Sequence, residues 1–228
     1  MLHLKALYSL RFLGILLLAD ITLLIIHGVR GIFYPTNTFF SIYAEMGLAE
    51  LFQYFKEFSI FFLLIIHAIK KRRSIFFFWA LLFVYLLLDD SLEIHETLGN
   101  RIAVLFNFPT LINLGPQHIG EVFVSGIVGL IFLVLIGLSY KYAKPIDKRV
   151  SFQLVLLIFL LAIFGVFVDS VHAAVNWGGS IWGILEDGGE MITMSLIVAY
   201  VFDMPKSIEL VDNLIHKLNC LIPRIFRK

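Results

Sequence analysis

Asp169 and His172 stand three residues apart in Val168-Asp169-Ser170-Val171-His172, and His118 and Glu121 stand three apart in His118-Ile119-Gly120-Glu121. On a helix, residues at such spacings share a face. In Leu185-Glu186-Asp187-Gly188-Gly189-Glu190-Met191, Glu186 precedes Glu190 by four and Asp187 precedes it by three. A fourth segment, Leu86–Glu96 (LLLDDSLEIHE), sets Asp89, Glu93 and Glu96 at i, i+4 and i+7. An unbroken helix there turns His95 nearly the opposite way. Carboxylates mixed with imidazoles suit zinc, iron or manganese better than the oxygen-only sites of calcium. They also serve as general bases.

The expected metal ligands are His118, Glu121, Asp169, His172 and Glu190, with Glu93 and Glu186 as bridging or proton-transfer groups that carry the catalysis. Carboxylate–His pairs on two helices, joined by carboxylates from two others, suit a di-metal bundle, although His118/Glu121 runs in the reverse order. A single zinc with an open position for water fits as well. A zincin is excluded, because His95-Glu96-Thr97-Leu98-Gly99 lacks the second His of HExxH. Ser91 and Ser170 read as hydrogen-bonding neighbours of the aspartates rather than nucleophiles. Haem is disfavoured: His67 and His172 fall at opposite ends of their segments, and carboxylates crowd His172.

These residues sit at the ends of long apolar runs. The chain is 60% hydrophobic and 15% charged, with a mean hydropathy of +0.92. Six runs approach the ~20 residues that cross a bilayer as helix: 7–26, 50–69, 74–94, 119–141, 151–174 and 183–202. They are continuous rather than alternating, so barrel strands are excluded. In lipid the backbone must satisfy its own hydrogen bonds, which leaves helices. The expected fold is an all-α integral membrane protein, a six-transmembrane-helix bundle over 1–205. Positions 206–228 form a C-terminal amphipathic helix with Ile208, Val211, Ile215, Leu218 and Ile222 on one face.

Basic residues set the expected orientation. Lys70–Arg73, then Lys141, Lys144, Lys148 and Arg149, then the tail carry most of them, whereas 27–49, 95–118 and 175–182 hold only Arg30 and Arg101. Both termini are therefore expected on the cytoplasmic side. The first span is retained rather than cleaved, because Asp20 interrupts it. The lone Cys220 excludes a disulfide framework. The basic clusters are short and explained by topology, so nucleic-acid binding has no support.

Eleven of the 17 acids lie in or beside the outer halves of these spans, together with His27, His95, His118 and His172. Glu45, Asp90, His27 and His95 are expected to sit hydrated in the interface. Asp89, Glu93, Glu121, Asp169, Glu186 and Glu190 abut apolar helix directly. A carboxylate at helix centre costs ~2.5–3.5 kcal/mol, and only Arg30, Lys56 and Arg101 lie near as fixed positive charges. A bound cation offsets that cost. Span two adds a stripe of Glu50, Gln53, Tyr54 and Glu57; span one adds Asp20.

Asp89-Asp90, His95-Glu96-x-Leu98-Gly99 and Glu186-Asp187-Gly188-x-Glu190-Met191 together resemble a group of uncharacterised bacterial polytopic membrane proteins. The resemblance implies a bacterial inner membrane and supplies no reaction. From the residues themselves, the first expectation is a membrane-embedded metal-dependent hydrolase opening outward. Activated water attacks an ester, amide or phosphoryl bond of a lipid-like or small-molecule substrate, or a two-iron form performs oxidation. The alternatives are a cation- or proton-coupled transporter or channel and a structural or assembly subunit whose acidic pocket receives a basic segment.

Overall fold

The computed structural model describes residues 2–225, with side chains for 10–204. It is all-helical: α1 Leu2–Phe33, α2 Leu48–Lys71, α3 Ser74–Leu92, α4 Ile94–Phe106, α5 Pro116–Tyr142, α6 Pro145–Ala162, a π-helical turn Ile163–Val168, α7 Asp169–Ala174 and α8 Gly179–Ile225. Among the described residues, five stretches are long and apolar enough to cross a membrane: Leu10–Phe33, Leu48–Lys71, Ser74–Leu92, Pro116–Tyr142 and Pro145–Ala174. The sixth expected span, 183–202, lies inside α8 and is not one of these, since Glu186, Asp187 and Glu190 interrupt its first part. The apolar face expected along 206–228 concerns side chains outside the described residues.

Local chemistry sets the ends of the helices. Pro116 and Pro145 begin α5 and α6 in the first turn, where a missing N–H costs nothing and the fixed φ suits a helix. Arg72, at φ 50°, closes α2 in the left-handed conformation, and the N–H of Arg73 donates to the Ala68 carbonyl at 3.1 Å. The turn at the basic end is then locked. The Arg73 guanidinium pairs with Asp147, and Trp79 Nε1 donates to Ser151 Oγ at 2.8 Å. Between these contacts and mid-bundle lies the core, where Ile60, Leu64, Phe76, Trp79, Phe83, Leu154 and Ile197 are almost fully buried.

Two expectations fail at the opposite, acidic end. The third helix does not run to 94. It stops at Leu92, and Glu93 adopts a left-handed conformation with φ 50°. The stretch 95–118, read as a connection, holds α4 instead. What α4 buries is Gly99 and Ala103, four apart, rather than a row of large apolar residues. Gly99 and Gly120 let α4 and α5 touch backbone to backbone: a Cβ on Gly120 would overlap the Gly99 carbonyl, and one on Gly99 would lie 2.6 Å from the Glu121 amide nitrogen. That approach holds His118 and Glu121 against α4.

Candidate functional site

At the acidic end the helices enclose a cavity of about 540 Å³. Ten of the eleven acids named from the sequence line it, all but Glu93, and Glu57 makes an eleventh. Among the described residues, no Lys or Arg lines it. Arg30 donates instead to the carbonyls of Asn37 (2.8 Å) and Pro35 (3.2 Å), Arg101 is exposed, and Lys56 is engaged elsewhere.

Beside the cavity, α5, α7 and α8 carry His118, His172 and their carboxylate partners; Glu121, Asp169 and Glu186 line it, the two histidines do not. His118 Nδ1 lies 3.5 Å from Glu121 Oε2, while its Nε2 lies 3.5 Å from Asp169 Oδ2 and 3.2 Å from Ser170 Oγ. Gln117 Nε2 donates to Glu121 Oε1 at 2.9 Å. Asp169 stands against Glu186, and Glu186 Oε2 lies 2.7 Å from His172 Nδ1. The contacts thus form a chain, Glu121–His118–Asp169–Glu186–His172. Four of the five expected ligands belong to it, but among the described residues no three of the five bring ligand atoms within 4.8 Å of one another. Glu190 does not belong to it, and sits deeper, against Gly165 of the π-turn, where a Cβ would overlap its carboxyl. π-Turns of this kind recur at functional sites. Asp169 and His172, paired on spacing, take different partners, because His172 turns to α8. Ser170 donates its hydroxyl to the Val166 carbonyl at 2.6 Å, so it is held as a hydrogen-bonding neighbour.

The break at Glu93 reorders the third segment. His95 does not point away: its N–H donates to Asp89 Oδ1 at 2.9 Å and its Nδ1 lies 3.0 Å from Asp89 Oδ2. That hydrogen bond raises the pKa of His95 above the ordinary imidazole value. Glu93 leaves the cavity for the rim. There Glu45, Glu93 and Glu96 bring one oxygen each within 4.8 Å of one another, the group of metal-compatible spacing among the described residues. Burial pushes the Glu96 carboxyl upward in pKa, with Glu121, Glu93 and Glu45 adding to the shift and His95 opposing it.

His27 and Asp90 are not hydrated interface groups either. His27 is buried, accepts the Ile42 N–H at Nδ1 (3.2 Å) and meets the Tyr43 ring edge-on at 4.6 Å. Tyr43 in turn donates to the Ser180 carbonyl at 3.2 Å, which pulls the 34–47 connection over the cavity mouth. Burial raises the Tyr43 pKa, and Asp187 and Glu186 raise it further. Asp90 lines the cavity beside Glu57, with its carbonyl 3.1 Å from Tyr54 OH.

Beneath the cavity is a pairing not drawn from the sequence. Lys56 Nζ donates to Asp20 Oδ1 (3.1 Å), the Met191 carbonyl (2.8 Å) and Ser195 Oγ (3.4 Å), and Ser195 Oγ donates to Asp20 Oδ2 at 2.5 Å. Lys56, Asp20 and Ser195 are wholly buried. The signal was present, since opposite charges inside two apolar runs must find each other.

No curated protein and no solved structure matches this chain. A model of an uncharacterised family does match, consistent with the uncharacterised group that the chain resembles; the match does not bear on the motifs or on a bacterial origin. The matched residues, 38–204, contain every cavity-lining side chain and leave out Asp20 and His27. Described as a domain of unknown function, DUF8692, that family is the one to which the chain belongs.

Proposed function

We propose that the chain is a six-span protein of a bacterial cytoplasmic membrane, with the first half of α8 as the sixth span. Both termini lie on the cytoplasmic side and the acidic cavity opens outward. The basic residues at the α2–α3 and α5–α6 turns support this orientation. We propose further that the cavity binds a divalent metal ion and hydrolyses a bond in a lipid-like substrate.

One observation carries the reading. Eleven carboxylates line a single cavity that no Lys or Arg among the described residues enters. Like charges brought together in low dielectric need a positive species among them. The Glu121–His118–Asp169–Glu186–His172 chain offers both imidazole and carboxylate donors, the mixture that suits zinc, iron or manganese. His118, Glu121, Asp169 and His172 are the ligands in this reading, with Glu186 taking the proton from attacking water. Glu93, on the rim, has no part in it. A bound divalent ion supplies Lewis acidity at the outer end of the cavity.

Elemental analysis of detergent-purified protein tests this. Stoichiometric metal, lost in both His118→Ala and His172→Ala, is the expected result. Well-folded protein that binds no zinc, iron or manganese when these are supplied sinks it.

Cation- or proton-coupled transport is the second reading. It is favoured by Glu57, Lys56 and Asp20, which continue the polar column below the cavity. Against it stands the apolar closure beyond them by Phe83, Leu154 and Ile197. A cation flux through reconstituted vesicles, abolished by Glu57→Gln, decides for transport.

A further inference from the structure

The connection between α1 and α2 crosses the cavity mouth, and one histidine fastens it there. Ile42, Tyr43, Ala44 and Glu45 of this connection line the cavity. His27, on α1 and 9% exposed, takes the Ile42 N–H at Nδ1 across 3.2 Å. A backbone N–H donates and never accepts, so Nδ1 carries no proton and the ring is neutral. Ser41 Oγ lies 3.5 Å from the same nitrogen and accepts the Tyr43 N–H at 3.2 Å. The Tyr43 ring lies against Gly183 of α8, where a Cβ would fall 2.8 Å from it, and its hydroxyl reaches the Ser180 carbonyl. Ile42 itself is buried with Ala49 of α2 and Met191 of α8. A segment that reaches from α1 across to α8 is thus held at its middle by one unprotonated nitrogen.

We propose that His27 is an acid-released latch: a proton on Nδ1 frees the 34–47 connection and opens the cavity mouth. Protonation sets two donors against each other. Ser41 can adapt, because its hydroxyl both donates and accepts; the Ile42 amide cannot. Ile42 is 6% exposed, so its N–H is then orphaned away from water, a cost that lifting the connection relieves. Charged and titratable groups surround the latch on every element packed there. Arg30 stands on α1, held to the Asn37 and Pro35 carbonyls. Tyr43 and Glu45 belong to the connection, and Glu50 of α2 accepts the Met46 N–H. Glu186 and Asp187 of α8 act on Tyr43. The latch governs access to the cavity and rests on reading that cavity as the working site, but it needs no metal.

Hydrogen–deuterium exchange of the detergent-purified full chain tests the proposal, read as protection factors so that the intrinsic pH dependence of exchange cancels. The Ile42 and Tyr43 amides should lose protection by about tenfold or more between about pH 7.5 and about pH 5. The Arg73 amide, bonded to the Ala68 carbonyl at the opposite end of the bundle, should not change. His27→Leu, with no proton to gain, should show the low protection at both pH values. His27→Asn, whose amide oxygen accepts without titrating, should keep the high protection at both. Thermal unfolding verifies that each variant is folded, and should one not fold, the other decides alone. Wild-type protection that is indifferent to pH overturns the proposal. So does an acid-dependent loss of the same size in either variant, since the cavity acids then carry the titration. Failure of the purified protein to bind metal leaves this outcome untouched, so the latch and the metal reading fail separately.

Discussion

The imidazole of His95 turns back onto the carboxylate of Asp89, six residues earlier, with Nδ1 3.0 Å from Oδ2 and the His95 N–H bonded to Oδ1. The left-handed Glu93 between them makes this possible. A continuous helix would carry the two side chains apart. The pair staples α4 to the end of α3, and with it the rim of the cavity.

Its contribution depends on pH in a definite sense. Because the Asp89 hydrogen bond raises the His95 pKa, the stabilisation is full below the unfolded value of about 6.5. It is lost as pH rises through the higher folded value. The thermal midpoint of wild type should therefore exceed that of His95→Gln most at about pH 6, with the gap narrowing at higher pH. Melting curves across that range check it; a gap that widens toward alkaline pH contradicts it.

Asp20→Ala leaves the buried Lys56 ammonium without its counter-charge. Breaking one side of such a pair costs about 3–5 kcal/mol, and unfolding of the purified protein in detergent should register a loss of that order. Ser195→Ala, which removes only a hydroxyl from the network, should cost about 1 kcal/mol. Replacing Asp20 and Lys56 together by Leu and Met should recover most of the loss. A double variant as unstable as Asp20→Ala would count against the charge explanation.

Gly120→Ala places a methyl group where the Gly99 carbonyl lies, and the obstacle is backbone. α4 and α5 must separate, at about 1–3 kcal/mol. Gly126→Ala, on the same helix, meets nothing within 4 Å and should gain up to about 1 kcal/mol from helix propensity. Thermal shifts of opposite sign for the two variants are the expected outcome.

Removal of divalent ions should destabilise the protein. An ion that binds only the folded state at a hundred times its Kd adds about 2.7 kcal/mol. Melting temperature should therefore fall with a chelator and return when metal is restored. Asp169→Asn should blunt the response, since it removes charge from the middle of the His118–Glu186 chain. A melting curve indifferent to chelator and added metal removes the cation from the account.

What the sequence by itself determined are properties that survive without knowing neighbours. Apolar runs of bilayer length made helices, because composition and backbone hydrogen bonding suffice for that. Acids concentrated at one end of the helices arrived in one cavity, because helices that run up and down bring their ends to common levels. His118 and Glu121, three apart, remain 3.5 Å from each other as local spacing requires. Tertiary structure alone decided the rest. The break at Glu93 sent that residue to the rim and His95 inward, and the π-turn at Ile163–Val168 changed the phase of everything after it. His172 met Glu186 across 14 positions, His118 met Ser170 across 52, and Lys56 met Ser195 across 139. Such pairings depend on where helices cross and how closely glycines let them approach, and periodicity along one chain segment carries no information about that.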